Sequence, residues 1–562
     1  MGFFFTLLAL VVLLGLTWRY LGSYMEAIFN GRVHFLGFVE RPIYRALRTS
    51  PEQEQTWKRY AGAMIVFSAV SLLFTYVILR IQGSLPLNPQ HLGAVGPALS
   101  FNTASSFITN TNWQNYGGET TMSYFSQMGA LTVQQFVTPA VGVAVALVLV
   151  RGFARKNSPT IGNFWVDITR CLLYVLVPIA FLFGIIFVAQ GAVQTLAGTV
   201  SIKDTLNGVS QTIPRGPIGF MEAIKQLGTN GGGFLNANSA TTFENPTGLT
   251  NFLSMYLLLS IPVALTYTFG KMVGSVRHGV ALLSVMVILF GVWVGFTSAA
   301  EHQNNPAVAA AGIHSTVGNT EGKEVRFGDT TTALFGISST STSTGSADGA
   351  YDSFTPMGGF GLLTGMMLGE VTPGGVGSGL YTLLIYAIIA VFIGGLMIGR
   401  TPEYLGKKIQ SREVKLAGLA ALVMPITVLV VTALAVSLAA GKAGPLNAGP
   451  HGFTEILYGL TSQGNNNGSA FGGLTGNTPF YNIIGAIDML IGRFGIMIPA
   501  IALGGALAEK NVVPESLGTF RTDNGMFVGL TIGVILIIGG LTFFPAISLG
   551  PIVEQLSHMR FF

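Results

Sequence analysis

The stretch Gly228-Thr229-Asn230-Gly231-Gly232-Gly233-Phe234 is polar and glycine-rich, yet apolar stretches long enough to cross a bilayer lie on both sides of it. Its core, Thr229-Asn230-Gly231, has three counterparts: Asn110-Thr111-Asn112, Ser343-Thr344-Gly345 and Asn466-Asn467-Gly468. The third residues of these four segments lie 119, 114 and 123 positions apart. Irregular polar backbone at membrane depth is tolerated only where protein buries it or where it lines a water-filled cavity. The spacing therefore predicts four segments that surround one axis.

The composition is typical of a polytopic membrane protein. The 562 residues are 50% apolar and only 9% charged, whereas soluble domains carry about 25% charged residues. The 74 glycines suit close helix packing, and the single Cys171 excludes an internal disulfide framework. The net charge of +5 does not indicate a nucleic-acid partner, because the basic residues are dispersed over short loops.

Ten apolar runs have the length of about 17–25 residues that a spanning helix needs. They cover about 3–21, 60–80, 130–150, 168–190, 250–271, 279–299, 374–399, 416–440, 480–508 and 525–547. The first run lacks the basic leader and the cleavage site of a signal peptide, so we interpret it as a retained transmembrane helix.

The basic residues of the connections indicate the orientation. One alternate set of connections holds 18 of them: Arg32, Arg41, Arg45, Arg48, Lys58, Arg59, Arg151, Arg155, Lys156, Lys271, Arg277, Arg400, Lys407, Lys408, Arg412, Lys415, Lys510 and Arg521. The opposite set holds 8: Arg80, Lys203, Arg215, Lys225, Lys323, Arg326, Lys442 and Arg560. The positive-inside rule places the first set in the cytoplasm. Both termini then face outward, and all four polar segments approach from the outside.

Short apolar runs precede the polar segments, at 99–108, 220–227, 333–337 and 453–460. They are too short to span a bilayer and suit half-membrane helices that enter and leave on one side. The sequence therefore predicts an all-α polytopic membrane protein, with four helix–pore loop–helix repeats around a central pore and two extra helices. The predicted units are an N-terminal helix with a cytoplasmic loop (1–59), repeats 1 (60–160), 2 (161–278), 3 with a broken second helix (279–415) and 4 (416–523), and a C-terminal helix (524–562).

The residue types of the segments indicate a filter for a monovalent cation. Rings of backbone carbonyls can replace the water shell of such an ion, and Gly permits the backbone conformations that this needs. A divalent-ion site would use Asp or Glu, and the four segments contain none. Neutral carbonyl coordination favours potassium. Asn112 replaces Gly in the first segment, and Asn tolerates left-handed backbone better than most residues.

Five longer motifs make the chain recognisable: Thr109-Asn110-Thr111-Asn112-Trp113-Gln114, Gly228 to Phe234, Asn465-Asn466-Asn467-Gly468-Ser469-Ala470-Phe471, Gly377-Ser378-Gly379-Leu380-Tyr381 and Gly399-Arg400-Thr401-Pro402-Glu403-Tyr404-Leu405-Gly406-Lys407-Lys408. Together they closely resemble the KdpA family, the potassium-binding subunits of bacterial Kdp potassium-transporting ATPases, and the resemblance covers essentially the whole chain.

The resemblance implies a set of roles and partners. The four segments would bind K⁺, with Gln114 close to the ion. The third segment departs slightly, because Thr344 stands where a well-known relative has Cys; Thr is a common filter residue, so we expect selectivity to survive. K⁺ would pass through a tunnel between subunits to KdpB, a P-type ATPase subunit that binds and hydrolyses ATP, in a complex with KdpC and KdpF in the bacterial inner membrane. The chain itself has neither a phosphate-binding loop motif nor an Asp-Lys-Thr-Gly-Thr phosphorylation motif, so it is not expected to be an enzyme on its own.

Charges inside membrane spans are costly and indicate function. Arg493 lies in the middle of the ninth span, and Glu370 precedes the break Thr372-Pro373-Gly374-Gly375. The stretch 358–398 is too long for one straight span, so we expect an irregular gating loop. Our hypothesis is that Glu370 and Arg493 lie below the filter, block channel flow and steer ions toward the partner. The alternative is a structural ion pair that holds the broken helix.

Other charged residues leave alternatives open. Asp488 is a third intramembrane candidate, or it faces the outer vestibule. Glu119 and Glu244 follow filter segments and either concentrate cations at the mouth or are solvated loop carboxylates. The cluster from Arg400 to Lys415 sets the topology, or contacts anionic lipid or the ATPase subunit.

Two other functions are considered. The first is a self-sufficient potassium channel or ion-coupled symporter of the superfamily of potassium transporters, to which the resemblance assigns the KdpA family. The whole-chain resemblance argues against it. An integral-membrane enzyme is the second; it would need His, Asp or Glu clustered at one membrane face, and the seven histidines are scattered.

Overall fold

The computed structural model describes residues 2–203, 208–313, 315–397, 399, 401–514 and 520–557. The longer helices are labelled in chain order: α1 (Phe3–Phe29), α2 (Gly37–Ala46), α3 (Trp57–Ile81), α4 (Pro97–Ile108), α5 (Ser126–Ala154), α6 (Phe164–Ala189), α7 (Gly219–Leu227), α8 (Gly248–Met272), α9 (Val276–Glu301), α10 (Asp329–Thr340), α11 (Pro356–Met367), α12 (Ser378–Met397), α13 (Ser411–Ser437), α14 (Gly449–Gly464), α15 (Pro479–Ala508) and α16 (Gly525–Ile547). Arg400 and Arg560, which were counted for orientation, lie outside the described residues.

The prediction of ten spans in an all-α membrane protein is confirmed. Within the described chain, ten helices are long and apolar enough to cross a membrane: α1, α3, α5, α6, α8, α9, α12, α13, α15 and α16. The described strands form two short antiparallel hairpins, β1 (Val200–Lys203) with β2 (Ser210–Ile213) and β3 (Glu403–Tyr404) with β4 (Lys407–Lys408). Both hairpins lie in polar connections, where the sequence predicts loops.

One unit of helices occurs four times. A spanning helix (α3, α6, α9 or α13) leads to a short helix (α4, α7, α10 or α14), then to a polar segment, then to an inner helix (α5, α8, α12 or α15). The four leading helices are the second, fourth, sixth and eighth spans, so they run in the same direction across the membrane. All four short helices therefore approach from one side, as predicted.

Local sequence signals mark where these helices begin. Proline occupies the first turn of α4, α11, α14 and α15, where its missing N–H costs no hydrogen bond. Thr247 caps α8 by accepting from the Thr250 backbone N–H, in a capping box. Asn524 accepts from the Phe527 N–H at the start of α16.

The inner helices form the centre of the molecule. We compare the most apolar 18-residue stretch of each helix. In this stretch 89% of the residues of α5 are buried, and 11% of those of α1. The exposed faces of α1, α3 and α16 carry large apolar side chains, which suits contact with lipid. The helices that follow the polar segments therefore surround the axis, and α1 and α3 lie at the periphery.

The third repeat has a broken inner helix, as predicted. Helix α11 ends at Met367, α12 begins at Ser378, and residues 368–377 between them are irregular. Pro373 cannot continue a helix, and Gly369, Gly374 and Gly377 adopt left-handed backbone with φ of 86°, 83° and 85°. We call residues 368–377 the crossing segment.

Candidate functional site

The four polar segments contact one another in chain order. A Cβ atom built on Gly231 would lie 2.0 Å from the Gly345 nitrogen, and one on Gly345 would lie 2.7 Å from the Gly468 carbonyl carbon. A Cβ on Gly468 would lie 1.8 Å from the Thr111 carbonyl oxygen. Real Cβ atoms do not approach so closely, so only glycine fits at these three positions. The second segment therefore contacts the third, the third the fourth, and the fourth the first.

Side-chain hydrogen bonds complete the circle. The Asn110 amide donates to the Thr229 carbonyl oxygen at 3.0 Å, which joins the first segment to the second. The Asn466 amide donates to the Thr111 hydroxyl at 3.1 Å, which joins the fourth segment to the first. The four segments thus form a closed ring, which we call the ring.

The ring repeats one unusual backbone conformation. The first residue of every segment has a positive φ: 66° at Asn110, 49° at Thr229, 53° at Ser343 and 59° at Asn466. Non-glycine residues seldom adopt this region. Four occurrences at matching positions indicate that the segments share one fold despite their different sequences.

The third residues confirm the interpretation of Asn112 and reveal one exception. Asn112, Gly231 and Gly468 have φ of 55°, 88° and 93°. Asn112 therefore adopts the left-handed backbone for which Asn is the best non-glycine residue. Gly345 does not share this conformation, and it needs glycine because of its close approach to Gly468.

The short helices hold the backbone of the ring from behind. The middle residue of each segment donates its N–H to the carbonyl oxygen five positions earlier, at 2.8–3.1 Å: Thr111 to Ser106, Asn230 to Lys225, Thr344 to Ser339 and Asn467 to Ser462. In a planar trans peptide the N–H and the C=O point in opposite directions. The carbonyls of the first residues are therefore directed away from the short helices.

The ring separates two cavities of different size. A cavity of about 730 Å³, which we call the vestibule, is lined by the third residue of every segment, namely Asn112, Gly231, Gly345 and Gly468. On the other side, a cavity of about 40 Å³ is lined by Asn466, Glu370 and Arg493, among others. We call it the lower cavity; it has room for only a few water molecules.

Gln114 lies in the wall of the vestibule, beyond the ring. Its side-chain N–H donates to the Gly233 carbonyl oxygen at 3.0 Å, and its oxygen accepts from the Gly233 N–H at 3.1 Å. Both ends of the amide are thus engaged by backbone that follows the second segment. Gln114 joins the first and second repeats at the rim.

Thr344 fits the ring without distortion. Its hydroxyl hydrogen-bonds to the hydroxyl of Thr342 at 2.9 Å, and Thr111 makes the same contact with Thr109 at 2.7 Å. The first and third segments therefore share one arrangement at their middle residue.

Glu370 supports the ring from below. The Asn467 amide donates to one carboxylate oxygen of Glu370 at 2.7 Å, and the Ser343 hydroxyl donates to the other. The alternative interpretation, a structural ion pair between Glu370 and Arg493, is wrong: both residues line the lower cavity, but no ion pair between them occurs in the described part of the chain. The physical reason is that side chains of the third and fourth segments already occupy the carboxylate.

The crossing segment lies directly against the ring. Its Val376 N–H donates to the Thr229 hydroxyl oxygen at 3.0 Å, and its Gly374 N–H donates to the Ser341 carbonyl oxygen at 2.7 Å. A Cβ on Gly142 of α5 would lie 2.4 Å from the Val376 carbonyl oxygen and 3.4 Å from a guanidinium nitrogen of Arg493. The predicted irregular loop is thus packed between the ring and α5, next to Arg493.

Two interpretations of acidic residues are wrong. Asp488 does not face the vestibule: it is fully buried beside Gly464 at the end of α14, where burial between helices removes it from solvent. Glu244 is not a solvated loop carboxylate: it is fully buried and pairs with the Lys225 ammonium at 2.6 Å. Glu119 remains partly exposed, and its carboxylate accepts from the Asn236 N–H at 2.9 Å.

The role of Lys225 was missed: it lies within the predicted short helix 220–227 but was used only as a basic residue for orientation. Lys225 lies on α7, is fully buried, and forms ion pairs with Glu222 and Glu244. The available signal was the presence of two charged residues, Glu222 and Lys225, in a run predicted to lie at membrane depth.

Comparisons with known proteins show the family of the chain. The family model described as "KdpA: Potassium-transporting ATPase A subunit" matches residues 7–556. The chain belongs to the KdpA family. It is 54% identical to the potassium-transporting ATPase potassium-binding subunit of Methylobacterium nodulans, over 96% of this chain and 94% of the relative. It is 52% identical to the subunit of that name from Mesorhizobium japonicum, over 98% and 97% of the two chains. The identity is 53% with the one from Granulibacter bethesdensis, over 96% of each chain.

Proposed function

We propose that this chain is the potassium-selective binding and translocation subunit of an ATP-driven potassium import complex. Membership of the KdpA family supports this proposal, since the relatives are named potassium-binding subunits of a potassium-transporting ATPase. In this proposal K⁺ is the cargo. It moves from the vestibule into the ring and leaves sideways to a partner subunit.

The closed ring is the observation that carries the proposal. Backbone carbonyls of the four segments would replace the water shell of K⁺, while the N–H groups of the middle residues stay hydrogen-bonded to the short helices. The proposed ligands come from the backbone of Asn110, Thr111, Asn112, Thr229, Asn230, Gly231, Ser343, Thr344, Gly345, Asn466, Asn467 and Gly468. Gln114 would order the approach at the rim.

The lower cavity is the proposed block to free flow. Arg493 places a positive charge in a space of about 40 Å³ below the ring, and Coulomb repulsion there opposes the passage of a cation. Glu370 would keep the third and fourth segments in place. We expect Arg493→Ala to give ATP-independent K⁺ leak through the complex, and Glu370→Gln to weaken K⁺ affinity. Unchanged affinity, unchanged ATPase coupling and absence of leak in both variants would refute the gating role.

In this proposal ATP is bound and hydrolysed by a partner subunit. A P-type ATPase subunit (KdpB) would bind and hydrolyse ATP, with KdpC and KdpF completing the complex. The chain is not an enzyme by itself in this proposal, and it spans the bacterial inner membrane with both termini outside. The basic hairpin of β3 and β4 then lies in the cytoplasm, near the lipid headgroups or the ATPase subunit.

A reconstitution experiment tests the proposal against a stand-alone channel or symporter. The chain is purified alone and with its co-expressed neighbours, and K⁺ uptake into liposomes and K⁺-stimulated ATP hydrolysis are measured. We expect both activities only with the complex. Sustained K⁺ uptake by the chain alone, without ATP or partner, would overturn the subunit assignment.

The ring is tested by Gly231→Asp and Gly468→Asp. At each position a side chain meets a neighbouring segment within 2.0 Å, and a carboxylate adds charge to a neutral ring. We expect weaker K⁺ affinity and poorer discrimination against Rb⁺ and Na⁺. Unchanged K⁺ affinity in both variants would contradict the filter assignment.

A further inference from the structure

The second repeat differs from the other three at one matching position. The residue five positions before the middle of each segment is Ser106, Ser339 or Ser462 in three repeats and Lys225 in the second. The backbone carbonyl of each of these four residues accepts a hydrogen bond from the N–H of the middle residue of its segment, so the positions are structurally equivalent. Their side chains, however, act differently.

The three serines contact the backbone of the ring region directly. The Ser106 hydroxyl donates to the Trp113 carbonyl oxygen at 2.9 Å, and the Ser339 hydroxyl donates to the Thr344 carbonyl oxygen at 2.7 Å. The Ser462 hydroxyl accepts from the Gly468 N–H at 3.0 Å. A short hydroxyl behind each segment thus fixes the orientation of one peptide group in or next to the ring.

Lys225 makes its contact through a relay. Its ammonium donates to the Asn238 side-chain oxygen at 2.8 Å, and the Asn238 amide donates to the Gly231 carbonyl oxygen at 2.7 Å. Asn238 lies after the second segment, with a left-handed φ of 52°. The third residue of the second segment is therefore held by Lys225 through Asn238.

Two buried carboxylates hold the ammonium in place. Glu222 and Glu244 contact the Lys225 ammonium at 2.5 Å and 2.6 Å, and the side chains of all three are at most 1% exposed. Glu244 also accepts from the Leu235 N–H at 2.7 Å. A fully buried ion pair is weak evidence for stability but can fix one geometry. We call Glu222, Lys225, Glu244 and Asn238 the brace.

The brace also reaches the third repeat. Gln226, next to Lys225, donates both to the Glu222 carboxylate and to the Ser346 hydroxyl, each at 2.8 Å. Ser346 directly follows the third segment. The charged cluster therefore lies at the junction of two segments, behind the point where Gly231 and Gly345 touch.

We propose that Lys225 is a positioning residue that, through Asn238, sets the Gly231 carbonyl and with it the ion discrimination of the ring. This inference rests on the proposed function of the ring as the K⁺ filter. Carbonyl position and field strength determine the choice among monovalent cations. Loss of the brace then changes the preference for K⁺ over Rb⁺, and not only the amount of active protein.

The test measures half-saturating K⁺ and Rb⁺ for ATP hydrolysis by the intact complex, and reports their ratio. Loss of folded protein lowers the maximal rate for both ions and leaves the ratio unchanged. Asn238→Ala removes the relay but keeps the ion pairs. The triple variant Lys225→Met, Glu222→Gln, Glu244→Gln removes all three charges together, so no buried charge is left unpaired. We expect both variants to change the ratio by up to about tenfold, the effect of one hydrogen bond.

The matched control is a second lysine pair with buried side chains, Lys323 with Glu301, which are 2.7 Å apart and whose side chains are at most 1% exposed. Glu301 contacts Thr355 in the outer part of the third repeat instead of the ring. We expect Lys323→Met with Glu301→Gln to leave the ratio unchanged. Gly468→Asp in the same assay distinguishes failure of the role of Lys225 from failure of the filter assignment. If Gly468→Asp changes the ratio but neither brace variant does, the role of Lys225 is refuted and the ring stands. If Gly468→Asp also leaves the ratio unchanged, the proposed filter itself fails.

Discussion

At the scale of single residues, Gly231 has two independent reasons to be glycine. Its φ is 88°, which costs an L-residue about 1–2 kcal/mol, and a Cβ would lie 2.0 Å from the Gly345 nitrogen. We expect Gly231→Ala to raise half-saturating K⁺ for ATP hydrolysis by the complex more than about tenfold and to lower the melting temperature.

The control for this substitution is Gly540→Ala. A Cβ on Gly540, in the peripheral helix α16, meets nothing within 4 Å, and alanine in a helix interior is more stable than glycine by about 0.5–1 kcal/mol. We expect an unchanged K⁺ requirement and an equal or higher melting temperature. If both variants have the same half-saturating K⁺ concentration and the same melting temperature, the close contact of Gly231 is not important for function.

Residue types predicted backbone conformation better than they predicted the environment of charges. The left-handed conformation of Asn112 followed from its alignment with glycines, because that preference is local. Glu244 was misplaced and the position of Asp488 was left open, because the burial of both depends on distant elements: Glu244 pairs with α7, and Asp488 packs against the end of α14. No local pattern contains those contacts.

At the scale of elements, His451 links three of them. It lies in the first turn of α14, and its ring contacts Asp352 at 2.9 Å and Glu554, beyond α16, at 2.8 Å. Burial alone would lower the pKa of His451, but the hydrogen bonds to Asp352 and Glu554 outweigh burial and raise the pKa to about 10. The protonated ring therefore stabilises the contact between α14 and the C-terminal end of the described chain.

The sign of the pH dependence follows from the raised pKa. An unfolded histidine has a pKa of about 6.5, so the stabilisation is complete below about pH 6.5 and is lost as the pH rises toward about 10. We expect the melting temperature of the purified protein to fall between pH 7 and pH 10, and to fall less in His451→Gln. His302→Gln, whose side chain is 69% exposed, serves as the control and should keep the wild-type slope. An equal slope in His451→Gln would contradict this role.

The elements themselves were largely predictable, because length and hydropathy suffice to find a spanning helix. The break between α11 and α12 followed from Pro373 and its neighbouring glycines. The path of the crossing segment did not, because it depends on contacts with Thr229, Ser341 and Gly142. These residues belong to three different repeats, and only the assembled ring brings them to one place.

At the scale of the whole molecule, the four repeats share one plan but have diverged in what supports each segment. Serine hydroxyls hold three segments and a buried ion cluster holds the second. The crossing segment breaks the symmetry a second time, since among the described residues only the third repeat has a divided inner helix. Both departures suit the proposed ring, whose far side would be closed and whose cargo would leave in one direction.

The orientation of the whole chain yields a labelling prediction. The only cysteine, Cys171, is fully buried, so Cys171→Ser gives a background without thiols. Into it we introduce Ser210→Cys in β2 or Glu52→Cys in the connection before α3, both at exposed residues. The excess of basic residues in the connection that contains Glu52 predicts that it lies in the cytoplasm. Three spans separate the two sites, so one span more or less between them would put both on the same side. We expect a membrane-impermeant maleimide to label the Ser210→Cys variant in spheroplasts and the Glu52→Cys variant only after the membrane is permeabilised.

Two outcomes would contradict this orientation. Labelling in the reverse order would put the vestibule on the cytoplasmic side and contradict uptake from outside. Equal labelling of both variants before permeabilisation would contradict the alternation of the ten spans.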